Sequence, residues 1–342
     1  MPPVDRGHAI DRAIQERQRL TDTAAALWGD VRDCVRLGPS LSMSGRRYYL
    51  LTFLLTSTPP APQVLASVAP QDKTRQFVLL QKFLTTHGIP VPDVFDCADW
   101  CEDGVVFQEY LTGPSLMSVN DKVSYLKTLV DIACQLAELD IPSWATDQDL
   151  LRRYDGTYIQ SRLATLVRPV FESTLRRPLT ADEHGNIAAG LRALGRSADS
   201  LPFALAHRDL QSSNVIIQDR VPHLIDFQSA SLAPLGFDIA CLLYDSYVTC
   251  TDSLRQDLLE RFVSRTGGTL TPAHFTGLAT YRKLFDVANF LDAQIRMGID
   301  DYKPYLATTA AMVADLWSSG LGSVAGGRMR SLLTEVVEHA LA

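Results

Sequence analysis

The hydrophobic pattern changes character near residue 112 and divides the chain in two. Residues 8–28 place Ile10, Ile14, Leu20 and Leu27 at roughly helical spacing, which predicts an amphipathic helix ahead of the main fold. Tyr48–Leu55 and Val64–Val68 are short apolar runs rich in aromatic and β-branched residues; the proline cluster 58–62 separates them, and both predict strands. Residues 74–87 predict a helix stopped by Gly88 and Pro90, followed by strands at Asp93–Cys97 and Val105–Tyr110. After Thr112-Gly113-Pro114, helical periodicity takes over at 120–139, 147–170, 180–199, 237–249, 252–266, 271–298, 303–319 and 328–341. One β-type island interrupts it, at Ala204–Ala206, Val215–Gln218 and His223–Ile225, with a turn at Asp219-Arg220. The expected class is α+β and bilobal. Residues 1–35 form a helical extension, 36–112 a small β-rich lobe and 113–342 a larger helical lobe, with a ligand expected in a cleft between lobes.

Length and charge narrow the function. A chain of 342 residues suits about two domains. Its formal charge of −7, with no basic run, argues against nucleic acid as a partner while leaving room for a small anion. The six cysteines form no Cys-x-x-Cys pair, so a zinc site is unsupported and reduced thiols of a cytoplasmic protein are expected. Met1–Gly29 lacks an apolar signal core, and no apolar stretch approaches the ~20 residues of a membrane span, so no membrane partner is expected. Gly320-Leu321-Gly322-Ser323-Val324-Ala325 matches a dinucleotide fingerprint but follows a helix without a βαβ unit, and reads as a loop.

The β island carries the chemistry. His207-Arg208-Asp209-Leu210-Gln211-Ser212-Ser213-Asn214 fits the kinase catalytic-loop pattern H-R-D-L-x-x-x-N at every fixed position, and Asp226-Phe227-Gln228 follows twelve residues after the Asn. In phosphoryl transfer, Asp209 stands where a carboxylate accepts the proton of an attacking hydroxyl. The Asn214 side-chain oxygen and Asp226 are hard donors suited to Mg²⁺ bridging nucleotide phosphates. His207 and Arg208 brace the loop. Eleven residues separate Asp226 from Asp238, which leaves no room for an activation segment and makes Asp238 a structural anchor at a helix start.

This half of the chain resembles the aminoglycoside-phosphotransferase family of small-molecule kinases, which implies a bilobal protein-kinase-like fold and ATP with Mg²⁺ as cofactors. Further motifs are similar to anomeric kinases of N-acetylmuramate and N-acetylglucosamine, enzymes of cell-wall recycling. These are Asp226-Phe227-Gln228, Ala233-Pro234-Leu235-Gly236-Phe237-Asp238, Leu242-Leu243-Tyr244-Asp245 and Ser44-Gly45-Arg46-Arg47-Tyr48. The resemblance implies a small-sugar substrate phosphorylated at C1, and a purine edge met by Glu109, Tyr110 and Leu111.

The small lobe lacks the lysine expected on its third strand, since no Lys or Arg lies between Arg47 and Lys73. Arg46 and Arg47 are the candidate replacements, with the backbone of Ser44 and Gly45 as a phosphate nest. Tyr244, Asp245, Arg282 and Asn289 are candidate acceptor-binding residues. Two alternatives remain at this point: an aminoglycoside antibiotic phosphotransferase, and a nucleotide-binding pseudokinase scaffold.

Overall fold

The computed structural model describes residues 6–38, 46–95, 104–141 and 151–342. The chain divides into two compact units, Met1–Gly113 and Pro114–Ala342.

In the first unit, helix α1 (Arg6–Trp28) precedes an antiparallel sheet of β1 (Val31–Leu37), β2 (Arg47–Phe53), β3 (Gln63–Val68) and β4 (Val105–Glu109), in that spatial order. Helix α2 (Gln71–Thr86) joins β3 to β4. Alternation sets the two sheet faces. Tyr49, Leu51 and Phe53 of β2 are buried on one face, and the register carries Tyr49 beside Ala66 and Ala66 beside Phe107. Helix α1 packs there. Its buried stripe is Leu20 and Ala24, and Trp28 meets Phe53 and Phe107 edge-on at 5.9 and 5.3 Å. Ile14 and Leu27, expected on that stripe, are instead exposed.

Strand β1 was not expected, and it begins inside the segment read as a helical extension. Val31–Leu37 mixes apolar and charged residues without clean alternation at an open sheet edge, a weaker signal than the β2 run. Only Val94 of the expected Asp93–Cys97 strand is bridged, to Gln108, and Asp96 and Cys97 lie outside the described residues.

Alternation also parts the two adjacent arginines. Arg47 turns to the α1 face, where its guanidinium grips both oxygens of Glu16 at 2.7 and 2.6 Å, and Tyr49 donates to the same carboxylate at 2.6 Å. Arg46 turns to the α2 face, lies over the Phe77 ring and donates to Ser67 on β3 at 3.3 Å.

The second unit begins with α3 (Val123–Glu138) and continues with α4 (Gly156–Arg162), a π turn, α5 (Arg168–Leu175) and α6 (Ala181–Asp199). Residues 147–150 of the expected 147–170 helix lie outside the described residues, and the observed helix begins at Gly156. Then follow β5 (Phe203–Ala206), the hairpin of β6 (Val215–Gln218) and β7 (Val221–Leu224), β8 (Ser231–Pro234) and α7 (Phe237–Leu243). Helices α8 (Asp252–Arg265), α9 (Pro272–Met297), α10 (Lys303–Leu321) and α11 (Ser323–Leu341) complete the unit. Helix α9 is its central pillar. It opens on a Thr271/His274 capping box with Pro272 in the first turn and ends at left-handed Gly298, while Leu284, Val287, Ala288 and Leu291 are buried.

Three expectations change here. The 237–249 helix stops at Leu243, because Asp245 turns back to accept backbone N–H groups. The Gly320–Ala325 loop is almost wholly helical, with Gly322 (φ 92°) as the sole break between α10 and α11. Strand β8 was missed, being four residues long and ending in proline. Among the described residues, no helix is long and apolar enough to cross a membrane.

The Glu16 clamp carries a testable pH signature. Burial raises the carboxyl, but the Arg47 and Tyr49 hydrogen bonds and the Arg47 charge outweigh it and hold Glu16 below its ordinary value. A depressed folded-state value means the clamp stabilises fully above the ordinary carboxylate range and fades as pH falls through the folded-state value. Glu16→Gln is therefore expected to lower stability near neutrality by about 1–3 kcal/mol. It should also flatten the acid limb of stability against pH, as read by denaturant unfolding across pH.

Candidate active site

The site grows from two short strand pairings. Strand β5 leads directly into His207 and is held by β8, whose Ser231 lies opposite Ala206. The β6–β7 hairpin turns at Asp219-Arg220, both left-handed (φ 51° and 66°), as its tight turn requires. Its base pairs Val215 with Leu224, and Ile225 N–H donates to the Asn214 carbonyl at 3.0 Å. That pairing sets Asn214 at one foot of the hairpin and Asp226 just past the other.

The loop between β5 and β6 is pinned by buried carboxylates at both ends of α7. Asp238 accepts the backbone N–H groups of His207 at 2.6 Å and Arg208 at 2.8 Å. Burial pushes its carboxyl up, against the pull of His207 and those two donors. Gly236, at φ 96°, admits the turn into α7; a Cβ there would stand 2.6 Å from Leu270. Asp245 accepts Ser212 N–H at 2.6 Å and Tyr247 N–H at 2.9 Å, and burial pushes its carboxyl up as well. Expected among the acceptor ligands, Asp245 is instead a second loop clamp, with only 2% of its surface exposed.

His207 is buried and ties the loop to the hairpin. Its Nε2 donates to the Ile225 carbonyl at 2.9 Å, since a carbonyl can only accept, so Nδ1 is left to accept Asp209 N–H at 3.3 Å. Arg208 adopts φ 70° and turns away from Asp209: it stacks on Tyr154 at 4.0 Å and donates to the Ser229 carbonyl and the Ser231 hydroxyl.

Asp209, Asn214 and Asp226 are each half-buried, open enough to meet a ligand. The Asn214 amide donates to the Asp209 carboxylate at 2.7 Å and to its carbonyl at 2.9 Å. A carboxylate only accepts, so the amide nitrogen must face Asp209, and the Asn214 side-chain oxygen points elsewhere. Asp226 is left-handed (φ 63°), and Gln228 donates to it. Gln228, which departs from the usual glycine, thus steadies the Asp226 carboxylate. Together these residues offer a neutral amide oxygen and one carboxylate, the hard, low-charge donor set that Mg²⁺ accepts when phosphates and water complete its shell. Among the described residues no cluster of three His, Cys, Asp or Glu side chains could hold a metal ion.

Arg282 of α9 also joins this group. Its Nη2 donates to Asp209 at 2.5 Å and lies 2.8 Å from Asp286. Asn289 lies two turns along the same helical face. Tyr244 borders a cavity of about 550 Å³ with Arg255, Leu270 and Phe275, which none of Asp209, Asn214 or Asp226 lines. In the first unit, the Arg47 guanidinium, expected at phosphate, is spent on Glu16. Glu109 accepts Asp93 N–H at the end of β4, Tyr110 and Leu111 follow, and Ser44 and Gly45 lie outside the described residues. Sequence reasoning missed the Arg282–Asp209 bond, and the only available hint was the 282/286/289 spacing of charged and polar residues on one helix face.

A carboxylate poised at a half-open site, an oxygen donor pair beside it and a rigid loop beneath describe phosphotransfer chemistry. The chain belongs to the phosphotransferase enzyme family typified by the aminoglycoside phosphotransferases, whose sequence profile matches residues 39–273. It is similar to the N-acetylmuramate/N-acetylglucosamine kinase of Pseudomonas aeruginosa PAO1, at 23% identity over 69% of this chain and 67% of that one. The same-named Pseudomonas putida KT2440 protein is 25% identical over 65% of this chain, and the match spans 63% of its length, slightly under two thirds. That of Neisseria meningitidis serogroup B is 24% identical over 76% and 78%. Among solved structures, choline kinase LicA of Streptococcus pneumoniae superposes with TM-score 0.59 at 14% identity, covering 88% of this chain and 99% of that one. Spectinomycin phosphotransferase APH(9)-Ia superposes with TM-score 0.55 at 12% identity, covering 95% and 97%. The fold is the protein-kinase-like one of this family.

The Asp238 clamp is expected to hold the loop. Asp238→Ala strands one buried and one part-buried N–H group, at about 1–3 kcal/mol for the buried one. Denaturant unfolding should register that loss, and turnover should fall even in the protein that remains folded.

Proposed function

We propose that this chain is an ATP- and Mg²⁺-dependent kinase of small sugars that phosphorylates the anomeric hydroxyl of an amino sugar or hexose, of the N-acetylmuramate/N-acetylglucosamine type. The observation that carries the reading is the grouping of Asp209, Asn214 and Asp226 on one clamped loop and one hairpin base. Asp209 orients the acceptor hydroxyl and takes its proton as the phosphoryl group arrives. The Asn214 side-chain oxygen and Asp226 hold the metal, which when bound offsets phosphate charge.

Arg282 favours a sugar over an aminoglycoside. A polycationic acceptor would bring positive charge to a carboxylate that Arg282 already neutralises, with buried Lys283 next in the helix. A neutral or anionic sugar meets no such repulsion. The named curated relatives act on sugars of that kind. A pseudokinase scaffold loses its main motive as well, because Arg46 brings a cation onto β3 through Ser67, on the strand that lacks a lysine. We assign Arg46 the role of offsetting phosphate charge from its buried place over Phe77 and beside Ser67. Ser44, Gly45, Glu109, Tyr110 and Leu111 are the further residues proposed to meet the nucleotide, and Asn289 to meet the acceptor.

A coupled ADP-release screen over reducing amino sugars, hexoses, aminoglycosides and choline tests the reading. Turnover should be confined to reducing sugars, vanish when C1 is blocked, and fall by about 10²–10⁴ in Asp209→Ala with nucleotide affinity retained. Turnover of aminoglycosides alone, or full activity in Asp209→Ala, overturns it. The two arginines should also separate. Arg46→Met is expected to raise the ATP requirement by roughly tenfold, the scale of one lost charge-assisted contact. Arg47→Met should lower the unfolding temperature and leave the ATP requirement unchanged.

A further inference from the structure

We infer that Arg282 is the positioning residue of the phosphotransfer site, fixing the plane of the Asp209 carboxylate from a buried chain of charges that runs through Asp286 to Lys283. The inference rests on the proposed kinase reading for the role of Asp209, and on geometry for the rest.

A carboxylate held by one donor turns freely, because the last torsion of aspartate is broad and roughly two-fold. Asp209 has two donors on opposite oxygens: Asn214 reaches Oδ2 at 2.7 Å and Arg282 reaches Oδ1 at 2.5 Å. Together they leave one orientation. Arg282 is itself immobilised, since the same Nη2 lies 2.8 Å from Asp286 Oδ1, one helical turn on. Lys283 pairs with the other Asp286 oxygen and donates to the Ser246 hydroxyl at 3.1 Å, and that hydroxyl is hydrogen-bonded to Thr309 of α10 at 2.9 Å. The signs alternate from Asp209 through Arg282 and Asp286 to Lys283, and Lys283 has no exposed surface. Burial pulls the Arg282 guanidinium down, but Asp286 and Asp209 more than offset it and keep it charged.

A purely structural pillar does not need this arrangement. Buried ion pairs exchange for apolar packing at little or no loss, yet this chain ends on a carboxylate left half-open beside Asn214. The motif's own cation cannot serve, because Arg208 is engaged with Tyr154, Ser229 and Ser231. Among the described residues Arg282 is the cation bonded to Asp209. In a loose phosphoryl-transfer transition state the hydroxyl's direction matters more than early removal of its proton, so a rigid carboxylate is the functional requirement.

Arg282→Gln and Arg282→Lys test this on the full chain, with kcat, both KM values and thermal unfolding measured for each. Arg282→Gln should lose about 10² in kcat while the nucleotide KM stays put. Arg282→Lys, which keeps the charge without the planar fork, should recover part of that loss. If kcat of folded Arg282→Gln stays within about twofold of the parent, the inference is overturned and only a stability role remains. Should Arg282→Gln fail to fold, Arg282→Lys decides: a drop of about tenfold in kcat at unchanged nucleotide KM supports positioning, and unchanged kcat overturns it. The slow ADP release to water without acceptor is compared in the same proteins. A parent inactive on every sugar sinks the substrate reading, while loss of the water reaction in Arg282→Gln still upholds the positioning role and its persistence defeats it.

Discussion

Two consecutive backbone N–H groups, those of His207 and Arg208, end on the single buried carboxylate of Asp238, and the geometry of the site follows from that bond pair. Arg208 sits at φ 70°, a conformation that costs of order 1–3 kcal/mol for a residue with a side chain. The clamp offsets that strain and turns the chain so that Asp209 faces Asn214 rather than continuing the line of β5. Asp245, at the other end of α7, repeats the device, holding Ser212 as Asp238 holds His207. A short helix, α7, thus bears the loop on acids at both ends. Its burial makes those acids costly to ionise and leaves the four bonds to backbone N–H groups as their compensation.

The 207–214 loop was legible because its motif is contiguous: eight residues and one later Asp-Phe pair, bounded by apolar strands. The clamp at Asp238 was legible too, as an anchor at a helix start. Arg282 and the true role of Asp245 were not. Arg282 reaches Asp209 across 73 positions, and only folding shows that its face of α9 turns toward the loop. Asp245 looked like a polar helix residue until the helix proved to stop two residues before it. Adjacent Arg46 and Arg47 illustrate the same limit. Their shared charge suggested a shared ligand, whereas the pleat sends one to β3 and the other to Glu16.

Element type followed burial, and the misses follow from that. Runs with strong burial, one-sided in β2 and nearly all round in α9, were read correctly to within a few residues. Strand β1 carries Arg32, Asp33 and Arg36 at an open edge, where few side chains must be apolar. Strand β8 is recognisable only through its partner β5, since Ser-Leu-Ala-Pro has no period of its own. The glycines at 320 and 322 suggested a loop, yet one left-handed residue suffices to redirect a helix into its successor.

Distribution of charge, rather than fold, separates the acceptor classes open to this architecture. A likeness to solved structures at 12–14% identity fixes the fold of this chain but not the side chains on a helix face. Here α9 presents an arginine to the Asp209 carboxylate and backs it with an acid and a lysine. Reversing that order would place an acid beside Asp209, suit a cationic acceptor and leave two like charges in one buried space. The order observed does the opposite: it balances the charge of Asp209 from within the protein. On the proposed kinase reading, an acceptor then need not supply that counter-charge, and an uncharged hydroxyl-bearing ring suits the site better than a cation.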